Sequence, residues 1–185
     1  MEKLGLINNE TNHQIDISKK SGIQTERVFL GLSADGAEVY DRSDSHFHGE
    51  GGLTKELLAD AIGKITTNKR GFVKEKVEYD HPIGTQTCVK VSPEDEVVMV
   101  YRNGRSGQTP MVKNREAEPC SSVMVILRKD RSVLDKDIYE MLTGYIGEGS
   151  PREPWDPNIS TEEERRECEE FWNTHALLYD GNLID

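Results

Sequence analysis

Apolar residues recur at helical spacing in one early stretch, "LTKELLADAIGKI" (53–65). Leu53, Leu57, Leu58, Ala61, Ile62 and Ile65 share one face at a 3.6-residue period, which predicts an amphipathic helix with Thr54 as its cap. Ahead of it, "RVFLGLSADGAEVYD" (27–41) reads as two short strands around an "ADG" turn, and "DRSDSHFHGEGG" (41–52) as loop. From residue 71 the period becomes two. "GFVKEKVEYD" (71–80), "TQTCVKV" (85–91), "EVVMVYR" (96–102), "SSVMVILRKD" (121–130) and "DIYEMLTGYIG" (137–147) predict strands. In 121–130 both faces are apolar, Val123, Val125 and Leu127 on one and Met124 and Ile126 on the other, so this strand is expected at the centre of its sheet. "RNGRSGQTP" and "NREAEPC" read as a long excursion between strands. "STEEERRECEEFWNTHALLYD" (160–180) reads as a closing helix, with Ser160 and Glu163 as a capping box and an acidic first turn.

The expected fold is α+β: a helix, then an antiparallel four- to five-stranded meander sheet closed by a C-terminal helix. Residues 1–52 are read as an N-terminal extension with short strands, and 53–185 as a single α+β domain. The 185 residues suffice for one real core, while a hydrophobic fraction of 35% and a mean hydropathy of −0.67 leave part of the chain as polar surface. No apolar run approaches the ~20 residues of a membrane helix, and the N-terminus lacks the basic-then-apolar order of a signal peptide. A cytoplasmic protein with no membrane contact is expected. Cys88, Cys120 and Cys168 are too scattered for a disulfide framework or a zinc ribbon.

Charge changes this picture locally. The chain carries a net −11, yet residues 64–132 hold 13 Lys and Arg against 9 Asp and Glu, while 133–185 hold 4 against 14. A phosphate-bearing ligand would be drawn to the middle segment and repelled by the ends.

The candidate chemistry follows that map. His81, before Pro82 at a strand entrance in the basic segment, has a side chain suited to proton transfer near neutrality. His46 and His48 form H-x-H and are the candidates for a metal site, with Asp41, Asp44 and Glu50 as nearby oxygen donors. His175 is read as a packing or capping residue. In "YRNGRSGQTP" (101–110), Arg102 and Arg105 sit among glycines that let backbone amides approach an anion, although the P-loop pattern is absent. Thr143 and Tyr145, two residues apart, are expected on one strand face together with Met141 and Tyr139. In "PREPWDP", Arg152 and Trp155 are candidates for contact with a base, or Trp155 covers the core.

A helix, a small antiparallel meander with a histidine near its early strands, a basic R-x-x-R loop and a last strand reading "LTGYIG" together resemble the barnase–EndoU–colicin–RelE class of metal-independent ribonucleases. Many toxin nucleases of that class end their sheet in a "TAYP"-like strand, and Thr143-Gly144-Tyr145-Ile146 is similar to it over a resemblance spanning roughly residues 53–147. The resemblance implies RNA cleavage by attack of the ribose 2′-hydroxyl on the adjacent phosphorus, with no cofactor. It implies His81 as the proton-transfer histidine, with His48, just before the helix, as its rival. Lys90, Arg102 and Arg105 would stabilise charge, and Thr143 and Tyr145 would supply the hydroxyl and aromatic positions of the last strand. RNA, and an inhibitor or immunity protein, are the implied partners. Two other readings stand beside it: a non-catalytic acidic interaction protein of phage or toxin–antitoxin type, and a metal-dependent hydrolase using His46 and His48.

Overall fold

The computed structural model describes residues 27–41, 46–47, 50–68, 70–133 and 135–181. In chain order the elements are β1 (Val28–Leu32), β2 (Glu38–Asp41), β3 (His46–Phe47), α1 (Lys55–Lys64), β4 (Phe72–Glu78), β5 (Gly84–Gln86), β6 (Cys88–Lys90), β7 (Val97–Tyr101), β8 (Gln108–Val112), β9 (Glu118–Cys120), β10 (Ser122–Lys129), β11 (Ile138–Ile146), α2 (Glu162–Trp172) and β12 (His175–Leu178). The class is α+β.

The main sheet runs β1-β2-β11-β10-β4, with β3 also paired to β11. β10 is an interior strand, paired antiparallel with both β11 and β4, while β11 rather than β10 lies in the middle of the sheet. β2 and β3 run parallel to β11, so the sheet is mixed and departs from a simple meander. The two strands read as part of an N-terminal extension are thus members of this sheet. A second sheet runs β6-β12-β8-β7, and β5 with β9 makes a two-stranded ribbon. The stretch 85–91, which reads as one strand, divides between that ribbon and the second sheet. The supposed excursion after β7 is a hairpin, β7 pairing with β8 from Val97↔Val112 to Tyr101↔Gln108.

α1 forms where the apolar period placed it. Thr54 Oγ1 accepts a hydrogen bond from Leu57 N–H at 3.2 Å, satisfying one open amide of the first turn. Leu58, Ala61 and Ile62 are fully buried against Val73, Val123, Val125 and Leu127 of the sheet. Burying one such leucine or isoleucine contributes about 1.5–3 kcal/mol.

The last helix is shorter than its sequence suggests, and its cap lies one residue later. Thr161 Oγ1 accepts from Glu164 N–H at 3.1 Å, and the Glu164 carboxylate accepts from Ser160 N–H at 3.0 Å. The helix ends at Trp172, where the Thr174 hydroxyl donates to the Phe171 carbonyl at 3.0 Å. The chain then returns as β12, antiparallel to β6 and parallel to β8, so that a strand and not a helix closes the fold.

Candidate functional site

One residue of β11 decides which way its side chains face. The register with β10 pairs Leu127 with Met141 and Ile126 with Thr143, skipping Leu142. An extra residue in a ladder exchanges the faces of everything beyond it. Tyr139 and Met141 therefore belong to the core under α1, and so do Gly144 and Ile146 beyond the bulge: Ile146 lies in that core, and a Cβ on Gly144 would stand 3.0 Å from Leu58 Cδ1. Thr143 and Tyr145 lie on the opposite face, opposite Ile126 and Met124. They share a face as expected, but not with Tyr139 and Met141.

Tyr145 opens onto a cleft of about 250 Å³ between the two sheets. The end of β11 and the turn through Glu148 and Ser150 form one wall. The other wall is the face of the second sheet on which Cys88, Lys90, His175 and Leu177 alternate. His175 lies directly opposite Lys90 in the ladder, and Leu177 opposite Cys88. Glu118, from β9, and Phe171, from α2, complete the rim.

His175 is held in one orientation. Its ring stacks on Phe171 with centroids 4.0 Å apart and planes 6° from parallel. Its Nδ1 lies 3.0 Å from the Phe171 carbonyl oxygen and 2.9 Å from the Thr174 hydroxyl. A carbonyl only accepts, so Nδ1 carries the proton and Nε2 of the neutral ring is left as the basic nitrogen. The capping role read from the sequence is present, and the same side chain also lines the cleft. Nothing in "FWNTHALLYD" read as a helix reveals that; the residue becomes visible only once 175–178 is a strand whose alternate members face Lys90's side.

Burial raises the Tyr145 phenol above its ordinary value, against the lowering effect of hydrogen bonds from Ser150. It therefore stays protonated at neutral pH. Burial likewise pushes the Cys88 thiol up to about 11, and the Glu153 charge adds to the shift. Cys88 is thus a thiol in this cleft and not a thiolate nucleophile.

The other candidates lie elsewhere. His81 stands exposed in the loop after β4, with Nδ1 2.6 Å from the Asp80 carboxylate and its ring edge-on to Tyr79. Arg102 is mostly buried: Nε donates to Thr109 Oγ1 at 3.2 Å, and Nη2 pairs with Glu153, which also accepts from the Thr109 hydroxyl at 3.1 Å. That network pins the 150s segment to the β7–β8 hairpin. Arg105 and Arg152 lie near Asp156. Burial opposes the charge on Asp156, but hydrogen bonds from Asn158 and the two arginines outweigh it and hold the carboxyl below its usual range. Arg152 also reaches Glu164 at 4.0 Å. Trp155 lies flat against Gly107, and its Nε1–H donates to the Gln108 carbonyl at 2.9 Å. Trp172 Nε1–H donates to the Arg152 carbonyl at 3.0 Å, so the "PREPWDP" segment braces α2 against the second sheet. Of the sequence candidates, the cleft brings together Lys90 and Tyr145. His48 lies outside the described residues. His46 is described only by its backbone pairing with Thr143. Among the described residues no group of three His, Cys, Asp or Glu side chains forms a metal cage, and no helix is long and apolar enough to cross a membrane.

No protein-family model matches the chain, and no curated protein matches it. Among solved structures it is similar to a conserved hypothetical protein from Toxoplasma gondii ME49, at 9% identity, covering 72% of this chain and 90% of that one, with a TM-score of 0.49. A likeness of that degree says nothing of what the protein does.

Proposed function

We propose that the protein is a metal-independent ribonuclease and that the cleft between the two sheets is its reaction centre. The observation that carries this reading is the convergence of a positioned histidine, a lysine and a protonated tyrosine on one cleft: His175, Lys90 and Tyr145. His175 Nε2 takes the proton of the ribose 2′-hydroxyl. The freed oxygen bonds to the adjacent phosphorus while the bond to the 5′-oxygen breaks, leaving a 2′,3′-cyclic phosphate. Lys90 offsets the charge that grows on the phosphoryl oxygens, and the Tyr145 hydroxyl supplies the proton to the departing oxygen. The Phe171 carbonyl holds the imidazole tautomer throughout, as an orienting acceptor does for a catalytic histidine.

The test is cleavage of total RNA by the full chain in EDTA. Cleavage is expected for the wild type and for His81→Ala, and a loss of at least a hundredfold for His175→Ala and for Lys90→Ala, each checked as folded by circular dichroism. Undiminished cleavage by folded His175→Ala, or no cleavage by the wild type, overturns the reading.

A second reading, the non-catalytic interaction protein, has one observation in its favour. Val97, Met99 and Tyr101 alternate along β7 and are each exposed, an apolar stripe beside a strand edge that no other strand pairs among the described residues. An inert protein that captures a partner through that edge, with capture lost in Met99→Lys, would favour it.

A further inference from the structure

The face of the main sheet turned away from α1 carries a row that crosses five strands. Phe29 pairs with Tyr40, Tyr40 with Glu140, Glu140 with Arg128, and Arg128 with Phe72. Strands lie about 4.8 Å apart, so the row is about 19 Å long. Its ends are aromatic and open: Phe29 is 53% exposed and Phe72 51%. Phe29 also meets Tyr40 edge-on at 5.5 Å.

The charge around this row opposes the charge of the chain. A groove of about 470 Å³ beside Phe72 is lined by Arg70, Arg128, Lys129 and Arg131, with Asp130 and Glu140. Those two carboxylates are nearly buried and already engaged. Arg27 reaches Asp130 at 2.6 Å and Glu140 at 3.1 Å, and Arg128 reaches Glu140 at 3.4 Å. Lys129 pairs with Asp137. Among the described residues no carboxylate lies within ion-pair distance of Arg70 or Arg131. Glu38 accepts from the Tyr40 hydroxyl and pairs with Lys136, so six cations meet four acids on a protein of net charge −11. Lys74 stands exposed on the same face, opposite Ile126 and between the row and Tyr145.

We propose that this face binds single-stranded RNA, with bases stacked on Phe72 and Phe29 and phosphates held by Arg70, Arg128 and Arg131. Flat aromatic faces accept any base, and exposed arginines beside them fork onto phosphate oxygens. A duplex offers its bases only at their edges, so the stacking platforms select an unpaired strand. Four residue steps of β10 lead from Arg128 to Met124, the neighbour of Tyr145, which is about 13 Å along the strand. A strand of RNA seated on the row reaches the cleft by way of Lys74. The face therefore acts as the substrate-holding surface of the proposed ribonuclease and rests on that reading for its purpose, though not for its binding.

The experiment is anisotropy of a fluorescein-labelled 12-nucleotide oligouridine with the full chain in EDTA, using His175→Gln so that the probe stays intact. Binding is expected to weaken about tenfold in Phe72→Ala. In the double variant Arg70→Ala, Arg131→Ala the slope of log affinity against log salt is expected to flatten by about 1.4, the value for two lost single-strand phosphate contacts. All three residues are exposed or at the groove rim, so folding is expected to survive. A double-stranded RNA probe is expected to bind more weakly. Equal affinity in all variants, loss of binding only in Lys90→Ala, or preference for the duplex overturns the proposal. Failure of the cleavage reading shows instead as an intact probe with wild-type His175 while these binding differences remain.

Discussion

Met141 and Thr143 stand two residues apart on β11 and face opposite sides of the sheet. Leu142 is passed over in the pairing with β10, so Met141 packs under α1 while Thr143 looks out beside Ile126. The same bulge brings Gly144 against Leu58, where a Cβ would lie 3.0 Å from Leu58 Cδ1 and 3.4 Å from the Met141 sulfur. Gly144→Ala is therefore expected to destabilise the protein by about 1–3 kcal/mol through overpacking. Urea denaturation measures it, and the double variant Gly144→Ala, Leu58→Ala should lose less than the sum of the two single variants, because the smaller side chain makes room for the added methyl.

Arg102 is structural on this geometry, whereas its neighbour Arg105 is not. Arg102→Ala leaves Glu153 and Thr109, both nearly buried, without their shared donor. A cost of about 2–3 kcal/mol is expected for a charged hydrogen bond broken at a mostly buried site. Arg105→Ala, in an exposed loop, should stay within about 0.5 kcal/mol of wild type. Equal stability of the two variants would remove the network from the account.

The Trp155–Gly107 contact has an optical signature. A Cβ at residue 107 would fall 2.1 Å from Trp155 Cγ, so Gly107→Ala must expel the indole and break its bond to the Gln108 carbonyl. A red-shifted tryptophan emission is expected, with the β7–β8 hairpin more open to proteolysis. Unchanged emission would show that the ring is not held there.

What the sequence made legible follows from which forces are local. α1, with its cap at Thr54, and β10, flanked by strands on both sides, stand where apolar periods put them, because burial on one face or both is written in consecutive residues. The bulge at Leu142 leaves no such mark: "EMLTGYI" alternates equally well with or without it, and only pairing with β10 selects the skipped residue. β12 was hidden for a related reason. Its four residues continue a helical pattern acceptably, and they become a strand because β6 and β8 offer unpaired edges that arise far away in the chain. The cleft inherits both limits. Tyr145 and Lys90 were visible as residue types, but the histidine that joins them depended on a strand that sequence periodicity reads as helix.

Asp35 supplies a pH-dependent tie between the β1–β2 turn and the segment after α1. Its carboxylate accepts from the Ser33 hydroxyl at 2.6 Å and from the Thr67 hydroxyl and amide at 2.7–3.2 Å. The Ser33 bond leads in lowering it from 3.8 to about 2; burial opposes it, and the bonds from Thr67 add to the lowering. A carboxyl lowered in the folded state contributes stability that is complete above its unfolded value and lost as pH falls through its folded one. The gap in urea midpoint between wild type and Asp35→Ala is expected to be constant above pH 5 and to close between pH 4 and 2. A gap that persists at pH 2 would mean that packing, not the charge, makes the tie.

Cys88 distinguishes the proposed chemistry from a thiol-based one. It faces the same cleft as His175, an arrangement that in other settings activates a sulfur nucleophile. Here burial and the Glu153 charge push the thiol up to about 11, so the thiolate is scarce at pH 7. Iodoacetamide should label Cys88 slowly in the folded protein at pH 7.5. The rate should climb through pH 10, past the point where an ordinary cysteine has levelled off near its pKa of about 8.5. Cys88→Ser should retain RNA cleavage within about threefold, because a hydroxyl fills the same place without changing which groups move protons. Rapid alkylation at neutral pH together with loss of cleavage in Cys88→Ser would instead place a thiolate at the centre of the cleft.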